Sequence, residues 1–355
     1  MSYFLNRLNL EWLLTVRKAL LDTGKYPSPK YVVWDVSRKC NLNCQHCGAK
    51  DKEYSKELTT KQIKKVIKNL SEIGTEYFTV TGGEPLLRPD IIEIFEYASM
   101  LKLKTGIATN GFTLDAKTAK DLSKMGLNTI QISLDGPQKI HNKIRNNSIS
   151  YQRAIKAIDL IKKEGLHLTI SSVITSINLP FLKDIKKVIT EKQANIWKIV
   201  TIMPIGNAIN RDFYLSEKEF KELLKFIKEN KKKAHIEFGE NCGYLGEWDK
   251  KVRFSPFFCP VGILACCIGV DGNIRGCPEQ PDIDYFREGS VLKNNFETIW
   301  LKGFQKYRNR DVTKIDKHCK ECKVLKKCFG GCWVMRQNRT QCSINKYNLN
   351  SNYRA

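Results

Sequence analysis

Three cysteines lie close together in Cys40-Asn41-Leu42-Asn43-Cys44-Gln45-His46-Cys47, with three residues between the first pair and two between the second. A loop of that spacing can fold back and aim three thiolates at one point. Structural zinc is almost always closed by four protein ligands, so a closed zinc site fits a triad poorly. A cubic four-iron cluster held by three thiolates keeps one iron without a protein ligand. An open iron can bind a small molecule directly, so such a cluster does chemistry as well as carrying electrons. Three unrelated buried cysteines are the plain alternative.

Ten more of the 13 cysteines fall after residue 230. Twelve residues separate Cys259 from Gly272 and four more separate Gly272 from Cys277; then come Cys319-x2-Cys322-x5-Cys328-x3-Cys332 and Cys342. Val270-Asp271-Gly272-Asn273-Ile274 reads as a hairpin with Asp-Gly at its turn, which brings Cys277 back towards Cys259. Cys266 and Cys267 are adjacent and point opposite ways on a strand. Cys266, in step with Ile268, is preferred as a further ligand. Zinc in the Cys319–Cys332 run is the alternative.

These residues need a scaffold. From residue 31 to about 204 the chain alternates β-rich runs (31–37, 77–81, 105–109, 129–134, 168–174, 198–203) with helical periods (60–73, 89–101, 115–125, 151–164, 180–191), and a further helical period covers 216–230. Ile63, Val66, Ile67 and Leu70 form one apolar stripe, and Gly74 follows as a helix-ending glycine. Strand–helix units in series imply a parallel sheet, with chemistry at the C-terminal strand ends. The cysteine triad follows the first strand, Thr81-Gly82-Gly83-Glu84-Pro85 the second and Asn110-Gly111 the third. Ser133-Leu134-Asp135-Gly136 ends the fourth strand and Pro204-Ile205-Gly206 the sixth. Five such loops on one rim amount to a site.

At 355 residues the chain suffices for a large domain and a smaller one, and 42% hydrophobic content supports a core. The expected divisions are an N-terminal helical segment (1–30), a barrel (31–230), a bridge (231–258) and a metal-organised domain (259–355). Residues 1–21 read as an amphipathic helix rather than a secretion signal, and no run is apolar enough to span a membrane. Many cysteines without an export signal point to a reducing, cytoplasmic compartment. The net charge of +23 is spread over helix faces, which disfavours a nucleic-acid groove and suits an acidic peptide partner.

The triad, the Gly82-Gly83-Glu84-Pro85 run and the alternation together resemble the radical S-adenosylmethionine (radical SAM) superfamily over residues 31–206. The later cysteines resemble its SPASM extension. The resemblance implies an α/β fold, a partial (β/α)6 TIM-like barrel with a C-terminal Cys-rich iron–sulfur domain. Its cofactors would be S-adenosyl-L-methionine and three 4Fe-4S clusters, one that binds this cofactor and two auxiliary. In the family the open iron binds the methionine moiety, and an electron from the cluster releases a 5′-deoxyadenosyl radical that takes a substrate hydrogen.

Carried onto this chain, Cys40, Cys44 and Cys47 would hold the first cluster. Cys259, Cys277 and Cys332 would hold one auxiliary cluster, its fourth ligand left open among Cys266, which is preferred, Cys267 and Cys242. Cys319, Cys322, Cys328 and Cys342 would hold the other. Gly82 and Gly83 would let the backbone approach the methionine amino group, and Glu84 and Pro85 would shape that loop. His46 would pack near adenine or simply fill the loop. Asn110, Ser133 and Asp135 lie on the cofactor's rim, and Arg145 matches an arginine that pairs with its carboxylate. The family commonly has glycine after this arginine, whereas Asn146 follows here. Glu279 would be a base, or a solvated loop glutamate; Cys242 a hydrogen-atom donor, or a buried thiol.

SPASM-bearing enzymes mostly modify peptides and proteins, so the implied reaction is cross-linking, epimerisation or oxidation of a peptide. A sulfatase-maturing enzyme is the narrower alternative, although Pro278 stands where that branch typically has an aspartate. Other readings are an RNA-modifying enzyme and a non-catalytic electron carrier. The implied partners are a peptide or protein substrate and an external flavodoxin- or ferredoxin-like electron donor. A separate leader-peptide-binding protein joins them, because residues 1–30 are too short for a leader-recognition domain.

Overall fold

A computed structural model describes residues 23, 27–49, 56–209, 212–255, 257–311, 317–337, 342–347 and 349. The helix expected over residues 1–21 lies outside the described residues. Seven parallel strands pair in sequential order: β1 (Tyr31–Asp35), β2 (Tyr77–Thr81), β3 (Lys104–Thr109), β4 (Thr129–Ser133), β5 (Leu168–Ile174), β6 (Ile196–Thr201) and β7 (Ile236–Phe238). The helices between them are α1 (Thr60–Glu72), α2 (Ile91–Met100), α3 (Ala116–Lys124), α4 (Gln138–Arg145), α5 (Ser150–Lys163), α6 (Leu182–Glu191) and α7 (Glu217–Asn230). This is the α/β architecture of a partial TIM-like barrel.

Local chemistry explains the elements. Thr59 and Gln62 form a capping box that starts α1, and Ser216 and Glu219 do the same for α7. The α1 stripe of Ile63, Val66, Ile67 and Leu70 is buried. Alternation divides the strands: Phe78, Val80, Ile130 and Ile132 are fully buried under the helices, whereas Thr79, Thr81, Gln131 and Ser133 lie half-buried on the other face. The barrel's inner surface is therefore polar. Among the described residues no helix is long and apolar enough to cross a membrane.

The structure departs from expectation in three places. β7 makes a seventh parallel strand inside the expected bridge, too short at three residues to register as a strand pattern. α4 forms where no helix was expected, because its one buried face is built by His141, Ile144 and Arg145 rather than by apolar residues alone. Beyond residue 259 the chain continues the barrel sheet: β8 (Ala265–Ile268) pairs parallel with β1, and β9 (Asn273–Arg275) and β10 (Gly289–Ser290) follow antiparallel. The strand order is β10-β9-β8-β1-β2-β3-β4-β5-β6-β7. The expected hairpin is present as β8–β9, with Gly272 at φ +84 in its turn.

Candidate active site

The triad loop leaves β1 at Asp35 and is clamped from three sides. Gly83 donates its N–H to Ser37 O at 2.7 Å and Glu84 donates to Lys39 O at 2.8 Å. A Cβ on Gly82 would stand 2.6 Å from Ser37 O, and one on Gly83 only 2.2 Å from Lys39 O. The glycine pair is thus required by the loop's own backbone, a nearer reason than approach to a cofactor. On the second side, Asn207 donates from its backbone to Cys47 O at 2.9 Å and from its side chain to Cys44 O at 2.9 Å. Gly206, at φ +60, has no room for a Cβ beside Cys47 O. On the third, the last carbonyls of α4 receive Gln45: its N–H reaches Ile144 O and its side chain Lys143 O, both at 2.9 Å.

Glu84 is fully buried, and both its oxygens are used. One accepts Thr109 Oγ1 at 2.6 Å and Leu86 N–H at 3.0 Å; the other accepts Asn110 N–H at 2.7 Å. Burial raises its pKa. Glu84 therefore ties the β2 and β3 loops together, with Pro85 opening the short turn that follows. Asn110 carries the link onward, donating to Asn41 Oδ1 at 2.8 Å with its Nδ2 3.8 Å from Cys40 Sγ.

Opposite lies a buried charged group. Arg145 places Nε and Nη2 each 2.7 Å from Asp135 Oδ2, and Nη1 3.7 Å from Cys44 Sγ. The other oxygen of Asp135 accepts Val173 N–H at 2.9 Å. Asp135 is thereby committed to positioning Arg145, whose guanidinium it keeps charged beside the thiols. Asn146 takes the left-handed C-cap of α4, φ 52 and ψ 44. Asparagine tolerates that conformation better than other side-chain-bearing residues, which explains why it can stand where glycine is common. His46 Nε2 is 3.7 Å from Asp135 Oδ2, and its Nδ1 is buried without a hydrogen-bond partner. Burial lowers the His46 pKa to about 4, so the ring is neutral at pH 7. Ser133 ends β4 on the same rim, half-buried.

Sequence reasoning missed His141, which accepts Asp135 N–H at 3.1 Å, and Asn178, whose amide donates to Asp135 O at 2.8 Å. His141 lies one helical turn before Arg145 on α4, but no periodic signal marks Asn178.

The later cysteines assemble as two groups. The Cys277 thiol is pushed well up by burial, and the charges of Glu279, then Cys332 and Cys259, add to it. Cys328 is raised to about 12 by burial and then by Cys342, Cys322 and Cys319. Thiols that crowd and desolvate one another suit a cationic inorganic group, which would favour their deprotonation. Among the described residues no group of three or more His, Cys, Asp or Glu side chains is arranged to hold a metal ion. In the triad, Cys44 and Cys47 likewise add to the desolvation that raises Cys40. Cys266 sits apart, in the apolar core opposite Val32 of β1, with Cys267 and Arg308 as its charged neighbours. Cys242 is buried, 3.0 Å from Thr201 Oγ1, and its charge is felt by Cys332. Glu279 Oε2 lies 3.1 Å from where a Cβ on Gly48 would stand, just past the triad.

The Radical SAM superfamily profile matches residues 34–191. The chain is 30% identical to the Fe-coproporphyrin III synthase of Methanosarcina barkeri, spanning 88% of this chain and 84% of that protein. It is 27% identical to the AdoMet-dependent heme synthase of Oleidesulfovibrio alaskensis (88% and 84%). It is 26% identical to the mycofactocin maturase MftC of Mycobacterium tuberculosis (87% and 79%). Streptococcus suis SuiB bound to S-adenosylmethionine shares the fold, with a TM-score of 0.76 at 18% identity, covering 98% of this chain and 83% of SuiB.

Proposed function

We infer, for a chain that belongs to the radical SAM superfamily, an enzyme that takes a hydrogen atom from a peptide and so modifies it after translation. The family's S-adenosylmethionine and four-iron cluster supply, when bound, the radical that removes this hydrogen. Cys40, Cys44 and Cys47 would hold the cluster, and Arg145, held by Asp135, would receive the cofactor carboxylate through a planar, charge-assisted contact. His46 would offer its unpartnered nitrogen from the same wall. Gly82, Gly83, Glu84, Pro85 and Asn110 keep the loop in register, and Ser133 closes the rim. Electrons would come from a flavodoxin- or ferredoxin-like carrier in a reducing cytoplasm.

Two auxiliary clusters would complete the enzyme, on Cys259, Cys277 and Cys332 and on Cys319, Cys322, Cys328 and Cys342. For the fourth ligand of the first set we favour Cys242, whose charge reaches Cys332, over Cys266 in the core. The observation that carries the reading is Glu279. Its carboxylate stands beside Gly48 at the end of the triad loop, while Cys277, two residues earlier, faces Cys259 and Cys332. Glu279 could act as the base for a substrate oxidised between the two cluster sites.

MftC is named a maturase, and SuiB has been solved with its precursor peptide SuiA. The heme synthase and coproporphyrin synthase relatives favour a second reading, a porphyrin substrate. Anaerobically reconstituted enzyme should be given a peptide encoded beside its gene and, separately, iron coproporphyrin III, with both followed by mass spectrometry. Loss of hydrogen mass from the peptide, stoichiometric with 5′-deoxyadenosine, is expected. Conversion of the porphyrin alone would replace the first reading with the second.

A further inference from the structure

Cys259 and Cys328 belong to different cysteine groups, yet both line one narrow cavity. Arg310, Tyr307, Phe329 and Trp333 complete much of its wall. The Arg310 guanidinium is fixed there. Nη1 donates to Phe329 O at 3.1 Å and to Gly331 O at 3.2 Å, and Cζ lies 4.0 Å from the centre of the Trp333 ring. Its Nε is buried and has no hydrogen-bond partner. A buried N–H without a partner costs about 1–3 kcal/mol, so a native structure normally supplies an acceptor. A cluster held by the neighbouring cysteines would offer its sulfurs as acceptors here.

Arg310 also sees both sets electrostatically. Burial lowers its pKa, and the thiolate charges of Cys259, Cys328 and Cys332 oppose that fall. Cys259 and Cys332 come from the first set and Cys328 from the second. Arginine keeps its charge under such desolvation where lysine would lose it more readily. Arg336, 3.8 Å from Cys319, is a second cation in this region, and its charge adds to the fall in the Arg310 pKa.

We propose that Arg310 is the shared counter-ion of the two auxiliary clusters and raises the reduction potential of both. Reduction adds a negative charge to an already anionic cluster, and a fixed cation with an N–H aimed at sulfur favours the reduced form. A fixed charge that acts on both clusters shifts both potentials in the same direction. This inference rests on the two-auxiliary-cluster reading above.

The test is potentiometric titration of the reconstituted holoenzyme, monitored by electron paramagnetic resonance, for wild type, Arg310→Met and Arg310→Lys, with iron counted in each. In Arg310→Met both auxiliary midpoints should move to lower potential while the triad cluster's midpoint stays. Arg310→Lys should restore part of the shift. If the methionine variant loses iron, the lysine variant alone decides, by a smaller downward shift at both clusters. Intact clusters whose potentials ignore the substitution, or of which only one responds, would overturn the inference alone. A wild type holding fewer than two auxiliary clusters would overturn the cluster reading together with it.

Discussion

Adding one methyl group to Gly83 tests whether the triad loop is held by backbone contact. The Cβ of Gly83→Ala would stand 2.2 Å from Lys39 O and 2.7 Å from Lys39 C. An ordinary carbon–oxygen contact is about 3.3 Å, so Lys39 must retreat by about 1 Å. That motion stretches the bonds from Gly83 N to Ser37 O and from Glu84 N to Lys39 O, now 2.7 and 2.8 Å. Each is worth about 1 kcal/mol net, and the residual strain of overpacking adds about 1–3 kcal/mol. Destabilisation of about 3–5 kcal/mol is expected, concentrated next to Cys40. A functional constellation tolerates displacements of only about 0.5 Å, so the triad cluster should be lost while auxiliary iron stays. Iron analysis and electron paramagnetic resonance of the reduced protein would read this directly. Gly126→Ala is the control. Nothing lies within 4 Å of its new methyl, and only its φ of +76 is strained, so it should lose stability without losing iron. A Gly83→Ala protein with full iron and an unchanged spectral response to S-adenosylmethionine would refute the clamp.

Other outcomes follow from the same geometry. Arg145→Met strands the buried Asp135 carboxylate and should cost about 3–5 kcal/mol in urea denaturation, with cofactor binding weakened at least tenfold by equilibrium dialysis. The His141 pKa is lowered to about 3, by burial first and then by the Arg145 charge. Its unfolded value is 6.5, so the stability of the neutral ring is complete above that pH and drains away as pH falls towards 3. The full difference is about 5 kcal/mol. Between pH 7.5 and 5 the wild type should therefore lose more stability than His141→Gln; parallel profiles would exclude the assignment. Cys242→Ser should change iron content or the resonance signal of the first auxiliary set, whereas Cys266→Ser should lower stability by about 1–3 kcal/mol for its buried hydroxyl and leave iron intact.

The cysteine spacings and the rim loops could be read from the chain because each is a local pattern: a short loop, a turn glycine, a strand end. The same locality explains what was missed. Gly82 and Gly83 are excluded from carrying side chains by Ser37 and Lys39, more than 40 residues earlier, and no local signal reports that contact. Asp135 reads as a rim carboxylate, but its partner Arg145 reaches it only because α4 turns back between them. Gly206-Asn207 was visible only as the end of a strand, although it clamps Cys44 and Cys47. That the strand carrying Cys266 and Cys267 pairs with β1 was likewise hidden, because the two partners are so far apart in sequence.

That pairing bears on how the chain is made. Tyr31 and Ala265 sit side by side although 233 residues separate them. During synthesis β1 acquires β2 early, but its other edge has no neighbour until the ribosome has passed Ile268. An open strand edge invites the wrong partner, and contacts so distant in sequence form slowly. The nascent barrel therefore carries its first cysteine loop on an unfinished strand for most of translation. Iron delivered before release would meet a loop whose supporting edge is still missing.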